Sequence, residues 1–168
     1  MADEQIQSVL FCCTGNVFRS MTAEYALRRV MRARGVELRI GSAGTQDKRQ
    51  VVWPEVRNYL ERQGLDVSTH ERRTITRALL DQTDLVIAMS TDHESFLWTA
   101  FQCRAPLFLD ACGHGQLALP DVDEAVPDYT ADRVATLAHV RATIDRIIEA
   151  TPRLADRICM GDAQLRQH

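Results

Sequence analysis

The chain has 168 residues, of which 45% are hydrophobic and 26% are charged, and its formal net charge is -3. These values are typical of one globular domain, here residues 1–168, and the slightly acidic balance argues against nucleic acid as a partner. No apolar run approaches the ~18 residues of a membrane helix, and residues 1–5 lack the apolar core of a signal peptide. The sequence therefore predicts a cytoplasmic domain without membrane contact.

The cysteines also favour a reducing compartment. There are five of them, an odd number at irregular spacing, which does not fit a secreted disulfide framework. No recognised metal-ligand spacing links Cys103, Cys112, His114 and His139. We therefore expect neither a metal nor another cofactor.

The first predicted elements frame a short loop. Residues 6–12 form an apolar run typical of a buried strand, and residues 22–34 have the pattern of a helix. Between them, residues 13–20 read Cys-Thr-Gly-Asn-Val-Phe-Arg-Ser. Because backbone N–H groups in a strand-to-helix turn and the positive end of the helix form an anion site, these residues predict a phosphate loop.

The side chains of this phosphate loop agree with that prediction. Gly15 and Asn16 tolerate left-handed backbone angles. The planar guanidinium of Arg19 can bind two phosphate oxygens and, with the amides, would stabilise a Cys13 thiolate. Ser20, the predicted N-cap, can donate its hydroxyl to that sulfur. The full set of predicted phosphate-binding residues is Thr14, Gly15, Asn16, Val17, Phe18 and Ser20.

Strands and helices then alternate along the chain. Further strands are predicted at residues 37–40, 84–89 and 106–109, and further helices at 54–63, around Leu79 and Leu80, at 91–101 and at 131–150. A small-residue turn is predicted at 41–44, and Pro152 is expected to end the last helix and leave 152–168 as a tail. The alternation predicts a three-layer α/β domain, with a central parallel sheet of about four strands flanked by helices and the phosphate loop after the first strand.

The combination Cys-Thr-Gly-Asn-x-x-Arg-Ser after an apolar strand resembles the active loop of the low-molecular-weight protein tyrosine phosphatases. The resemblance continues through residues 41–45, His70, residues 84–89 and the late Val-Pro-Asp-Tyr at 126–129. It implies hydrolysis of phosphomonoesters, foremost of phosphotyrosine in a phosphorylated protein partner, through a phosphocysteine intermediate.

The resemblance also implies roles for individual residues. Cys13 would be the nucleophile, Arg19 would hold the phosphoryl oxygens, and Asp128 would be the general acid. Three neighbouring carboxylates compete for the acid role, namely Asp121, Asp123 and Asp132.

Outside the phosphate loop, the resemblance implies supporting and substrate-binding residues. Ser42 and His70 would hold the side chain of Asn16 in place without touching the substrate. Tyr129 would contact the substrate ring. Lys48 stands, by counting, where the family often has a second aromatic, and Trp53 could replace that aromatic only if its loop folds back.

Other departures leave competing functions open. Phe18 stands where many members have a second cysteine, and Ser90 replaces a common acidic residue. The arginine-phosphatase branch carries Thr where Val17 stands, and the arsenate reductases need two more cysteines near the central strand, where residues 88–92 have none. A phosphate-binding module without turnover is the alternative from another class.

Overall fold

The computed structural model of the chain describes residues 5–166. Three strands, β1 (Ser8–Cys13), β2 (Arg39–Gly44) and β3 (Leu85–Ala88), form a parallel sheet in the order β2-β1-β3. The described helices are α1 (Arg19–Ala33), α2 (Pro54–Arg62), α3 (Arg77–Asp81), α4 (Thr91–Phe101), α5 (Phe108–Ala111), α6 (Val122–Ala125), α7 (Arg133–Cys159) and a 3₁₀ turn (Ala163–Arg166). Residues 1–4 of the predicted polar start and residues 167–168 of the predicted tail lie outside the described residues.

The central strand β1 is buried on both faces, which gives the domain its three layers. Val9 and Phe11 pack against residues of α1 and α7 on one side of the sheet. Leu10 and Cys12, which point the opposite way because side chains alternate along a strand, pack against α3 and α4. The predicted three-layer α/β fold is confirmed.

Strand β2 includes the segment predicted as a turn. It begins at Arg39 and pairs with β1 from Ser8↔Arg39 to Cys13↔Gly44, so residues 41–44 lie in the sheet. Small residues favour this pairing because the strand runs directly against the phosphate loop. The prediction of a strand at 37–40 was right in kind but placed too early.

The sheet has three regular strands where about four were expected. At residues 106–109, Leu107 makes a single parallel bridge to Ala88, and α5 begins at Phe108. Pro106 has no N–H to continue a ladder, and the helical turn buries Phe108 and Leu109 in the core. The strand predicted here was therefore wrong.

The last helix continues beyond the predicted stop at Pro152. Helix α7 runs to Cys159, although proline removes the N–H that would bond the carbonyl of Ile148. Burial offsets this cost, since Leu154, Ala155 and Ile158 are all at most 2% exposed. Part of the predicted tail is thus core.

Candidate active site

The phosphate loop joins β1 to α1 directly. Cys13 is the last residue of β1 and Arg19 the first of α1. Asn16 adopts the left-handed conformation, with φ of 58°, whereas Gly15 does not. Gly15 instead leaves room for the side chain of Gln50, which a Cβ at that position would overlap.

Cys13 lies beside a hydroxyl group. Its Sγ is 2.9 Å from Ser20 Oγ, and the side chain is 2% exposed. Phe18, not Ser20, is the N-cap of α1, so the predicted cap was wrong. Ser20 instead sits in the first helical turn, where its hydroxyl can donate to the sulfur.

The adjacent Cys12 has a different environment. It is fully buried in the core beside Leu10, Leu97 and Leu107. Burial, and next to it the neighbouring Cys13, raises the pKa of the Cys12 thiol well above its usual value. Cys12 is therefore a packed thiol of the core.

Asn16 anchors the phosphate loop to the rest of the domain. Its Nδ2 donates to Ser42 Oγ at 2.7 Å and to Ser20 Oγ at 3.0 Å. Its Oδ1 accepts from the backbone N–H of Arg73 at 3.0 Å. One buried amide thus holds the phosphate loop, β2 and the segment before α3 in register.

A buried carboxylate supports this anchor. Ser42 Oγ donates to the carboxylate of Glu24, which is 5% exposed and paired with Arg28. His70 Nε2 donates to the backbone carbonyl of Asn16 at 2.7 Å, and its Nδ1 lies 4.0 Å from Glu24 Oε2. Both predicted neighbours of Asn16, Ser42 and His70, are in contact with it.

Arg19 is buried and held by the segment before α6. Its Nη1 donates to the carbonyl of Leu119 at 2.8 Å, and its Nη2 donates to Asp121 Oδ2 at 2.7 Å. The Asp121 carboxylate, 31% exposed, also accepts from Val122 N as the N-cap of α6. Asp121 therefore contacts the arginine of the phosphate loop.

Asp128 is placed differently. It is exposed in the turn between α6 and α7, and its backbone carbonyl accepts from the N–H groups of Ala131 and Asp132. Within residues 5–166, the carboxylate that contacts the arginine of the phosphate loop is that of Asp121. Sequence reasoning named Asp121 only as a competitor because spacing alone did not show which aspartate the segment carries to the phosphate loop.

Aromatic side chains lie on one side of the phosphate loop. Trp53 and Tyr129, both half-buried, pack against the apolar cluster that contains Phe18 and Val122. Trp53 thus shares a cluster with Phe18, a residue of the phosphate loop. The guanidinium of Arg133 stacks over the Trp53 ring at 5.7 Å.

Two further contacts to the phosphate loop were not predicted. Arg72 Nε donates to the carbonyl of Gly15 at 3.0 Å. His93 Nε2 lies 2.9 Å from Thr14 Oγ1. The sequence signal for His93 was its position three residues after Ser90, where a side chain can cap the start of α4.

The described residues hold no group of three His, Cys, Asp or Glu side chains that could bind a metal ion. Across residues 5–166, no helix is both long enough and apolar enough to cross a membrane.

Fold and phosphate loop together define the class: a three-layer α/β domain with a cysteine and an arginine in the loop after the first strand. Within this class, the chain belongs to the low molecular weight phosphotyrosine protein phosphatase family, whose sequence profile matches residues 8–159.

Individual relatives differ in their activities. The chain is 30% identical over 98 residues to the low molecular weight protein-tyrosine-phosphatase Ptp of Acinetobacter johnsonii, covering 55% of this chain and 63% of that protein. It is 29% identical over 89 residues to arsenate reductase 2 of Staphylococcus haemolyticus, covering 53% and 64%. A solved structure of the YwlE arginine phosphatase with a phosphorylated active-site serine matches with a TM-score of 0.78 at 20% identity, covering 94% of this chain and 99% of that one.

Proposed function

We propose that this protein hydrolyses phosphomonoesters, foremost phosphotyrosine in proteins, through a phosphocysteine at Cys13. The observation that carries the proposal is the ion pair between Asp121 and Arg19, the arginine of the phosphate loop, at 2.7 Å. This pairing supports a site in which Arg19 binds the phosphoryl oxygens and Asp121 acts as the acid beside it.

In the first step, the Cys13 thiolate attacks phosphorus and the bond to the leaving phenolic oxygen breaks. Backbone N–H groups of the phosphate loop and the Arg19 guanidinium stabilise the charge on the three equatorial oxygens. Since a phosphate dianion binds a guanidinium more strongly than a single carboxylate does, it displaces Asp121 from Arg19. Asp121, once released from Arg19, takes up a proton from solvent and donates it to the leaving oxygen.

In the second step, water attacks the phosphorus of the phosphocysteine. Asp121, now a carboxylate, takes the proton from that water as the phosphorus–sulfur bond breaks. The Ser20 hydroxyl, 2.9 Å from Sγ, stabilises the departing thiolate with a hydrogen bond. Inorganic phosphate leaves, Asp121 releases its proton to solvent, and the ion pair of Asp121 with Arg19 forms again.

The acid in this proposal is Asp121 in preference to Asp128. Both were candidates from the sequence, and Asp121 is the one in contact with Arg19. Asp128 follows α6 in the sequence and is exposed to solvent. Its role as the acid stays an untested prediction.

The aromatic cluster supports phosphotyrosine as the substrate. Trp53 and Tyr129 pack against the apolar cluster that contains Phe18, so we expect a phenyl ring attached to the bound phosphate to meet apolar and aromatic surfaces. Val17 adds no polar group that would favour a guanidinium. The same aromatic surfaces offer nothing to arsenate, which carries no ring.

The test is hydrolysis of p-nitrophenyl phosphate and of a phosphotyrosine peptide between pH 5 and 8 without added metal. Cys13→Ser should abolish turnover, whereas Cys12→Ser, the matched control, should keep it. Asp121→Asn should lower kcat by about a hundredfold or more, whereas Asp128→Asn should stay near wild type.

The opposite pattern for the two aspartates would return the acid role to Asp128. Faster turnover of phosphoarginine than of phosphotyrosine, or thiol-dependent reduction of arsenate, would replace the proposed substrate. No turnover of any of these, with inorganic phosphate still bound, would leave a binding module.

A further inference from the structure

The imidazole of His93 contacts the phosphate loop at Thr14, a residue that the network of Asn16 does not include. It is in the first turn of α4 and only 2% exposed. Its Nε2 is 2.9 Å from the Oγ1 of Thr14, the residue directly after Cys13. Through this contact, α4 is connected to the part of the phosphate loop whose amides would face a bound anion.

The hydrogen bonds of the ring fix where its proton lies. The backbone N–H of Ser90 points at Nδ1 from 3.1 Å. Because a backbone N–H only donates, Nδ1 must be an acceptor without a proton. Burial, and after it the charge of Arg19, lowers the pKa of His93 to about 3 against the opposing effect of Asp121. The ring is therefore neutral at physiological pH.

A neutral imidazole with a bare Nδ1 carries its proton on Nε2. Nε2–H therefore donates to Thr14 Oγ1, and the hydroxyl oxygen is the acceptor. The hydroxyl hydrogen of Thr14 is then free to donate to another group. Thr14 is only partly buried, so this donor can reach a ligand held by the phosphate loop.

We propose that His93 is a positioning residue for phosphate: it fixes the Thr14 side chain so that its hydroxyl donates to an oxygen of the bound anion. The proposal rests on the phosphate loop binding phosphate, as proposed above. His93 acts through Thr14 and does not itself touch the substrate. Since the imidazole stays neutral, it adds a fixed donor without placing a second positive charge against Arg19.

Two substitutions distinguish the contact made by Nδ1 from the contact made by Nε2. In His93→Asn, the side-chain oxygen can still accept from Ser90 N–H in place of Nδ1, but the shorter chain cannot reach Thr14. In His93→Gln, the amide can still donate to Thr14 in place of Nε2, but the cap at Ser90 is lost. The Asn variant should therefore lose phosphate affinity, and the Gln variant should lose thermal stability.

The experiment measures the Kd of inorganic phosphate by calorimetry, KM and kcat for p-nitrophenyl phosphate, and Tm, all with the full chain. His93→Asn should raise the phosphate Kd and KM about three- to tenfold, the usual effect of one lost hydrogen bond to a polar ligand. His93→Gln should remain within about twofold of wild type. Thr14→Val should weaken phosphate binding as much as His93→Asn, and combining the two should add nothing further.

Wild-type phosphate affinity in His93→Asn, equal losses in the Asn and Gln variants, or additive losses in the double variant would each overturn the proposal. If wild type binds phosphate without turning over any ester and His93→Asn weakens that binding, the proposed hydrolysis fails and the role of His93 stands. If wild type does not bind phosphate, both fail.

Discussion

At the end of β2, Gly44 lies against the backbone of the phosphate loop. A Cβ at this position would be 2.6 Å from the carbonyl oxygen of Thr14, 3.2 Å from the carbonyl carbon of Gly15 and 3.3 Å from the nitrogen of Asn16. All three are backbone atoms, which cannot move away without turning the neighbouring amides. The shape of the proposed anion site therefore depends on residue 44, outside the phosphate loop, being a glycine without a Cβ.

We predict that Gly44→Ala impairs the site much more than it impairs the fold. Alanine would force the phosphate loop to shift by several tenths of an ångström, and amides that are misplaced by that much bind an oxyanion poorly. The expected result is a loss of kcat/KM of about tenfold or more, read with p-nitrophenyl phosphate, together with weaker binding of inorganic phosphate.

The matched control is Gly41→Ala on the same strand. There the added Cβ would meet the guanidinium end of Arg73, a flexible side chain that can swing aside. Gly41→Ala should therefore keep most of the activity. Equal losses in the two variants would mean that β2, and not its contact with the phosphate loop, is the sensitive element.

At the scale of the elements, those with a strong local pattern were predicted accurately. Helix α4 has the predicted bounds, Thr91–Phe101, and β1 (Ser8–Cys13) begins two residues later and ends one residue later than the predicted strand at 6–12. The short strand at 106–109 and the stop at Pro152 were wrong because local signals there compete with burial. The backbone conformation at Leu107 and at Pro152 is determined by packing in the core, which local sequence patterns do not encode.

The residues of the site also fall into two groups, those that the sequence could predict and those that it could not. The residues of the phosphate loop could be named from the sequence because they form one continuous motif, and Ser42 and His70 could be named because the chain resembles a known family. The contacts of Asp121 with Arg19 and of His93 with Thr14 could not be predicted, since each spans 79 residues or more of chain. Sequence spacing carries little information about which of several aspartates lies near Arg19 after about a hundred intervening residues.

The part of α7 beyond Pro152 provides a prediction at this scale. Leu154 is fully buried beside Ile147 and Leu27, so Leu154→Ala should lower the free energy of unfolding by about 2–5 kcal/mol. Denaturant unfolding measures this change. Met160 is 82% exposed, and Met160→Ala should have little effect. If both substitutions were equally mild, α7 beyond Pro152 would not be part of the core.

For the whole molecule, the buried His93 couples stability to pH. Its pKa is about 3 in the folded chain, lowered chiefly by burial, against the usual 6.5 in an unfolded one. Between these values the unfolded chain binds a proton that the folded chain does not, so the free energy of unfolding falls as pH falls. The contribution is fully present above pH 6.5 and is lost progressively as pH drops toward 3.

We therefore predict that the free energy of unfolding decreases by up to about 1.4 kcal/mol per pH unit below pH ~6, before most carboxylates begin to titrate near pH ~4. Urea titrations at half-unit intervals from pH ~7.5 to ~4.5 measure the slope. His93→Gln removes the titrating group, so its slope in this interval should be clearly flatter than that of wild type. Comparing each protein with its own value at pH ~7.5, where the imidazole is neutral in both states, removes the packing cost of the substitution. If the free energy of unfolding had the same pH dependence in wild type and in His93→Gln, acid would destabilise the fold through groups other than this imidazole. The prediction that His93 couples stability to pH would then be wrong.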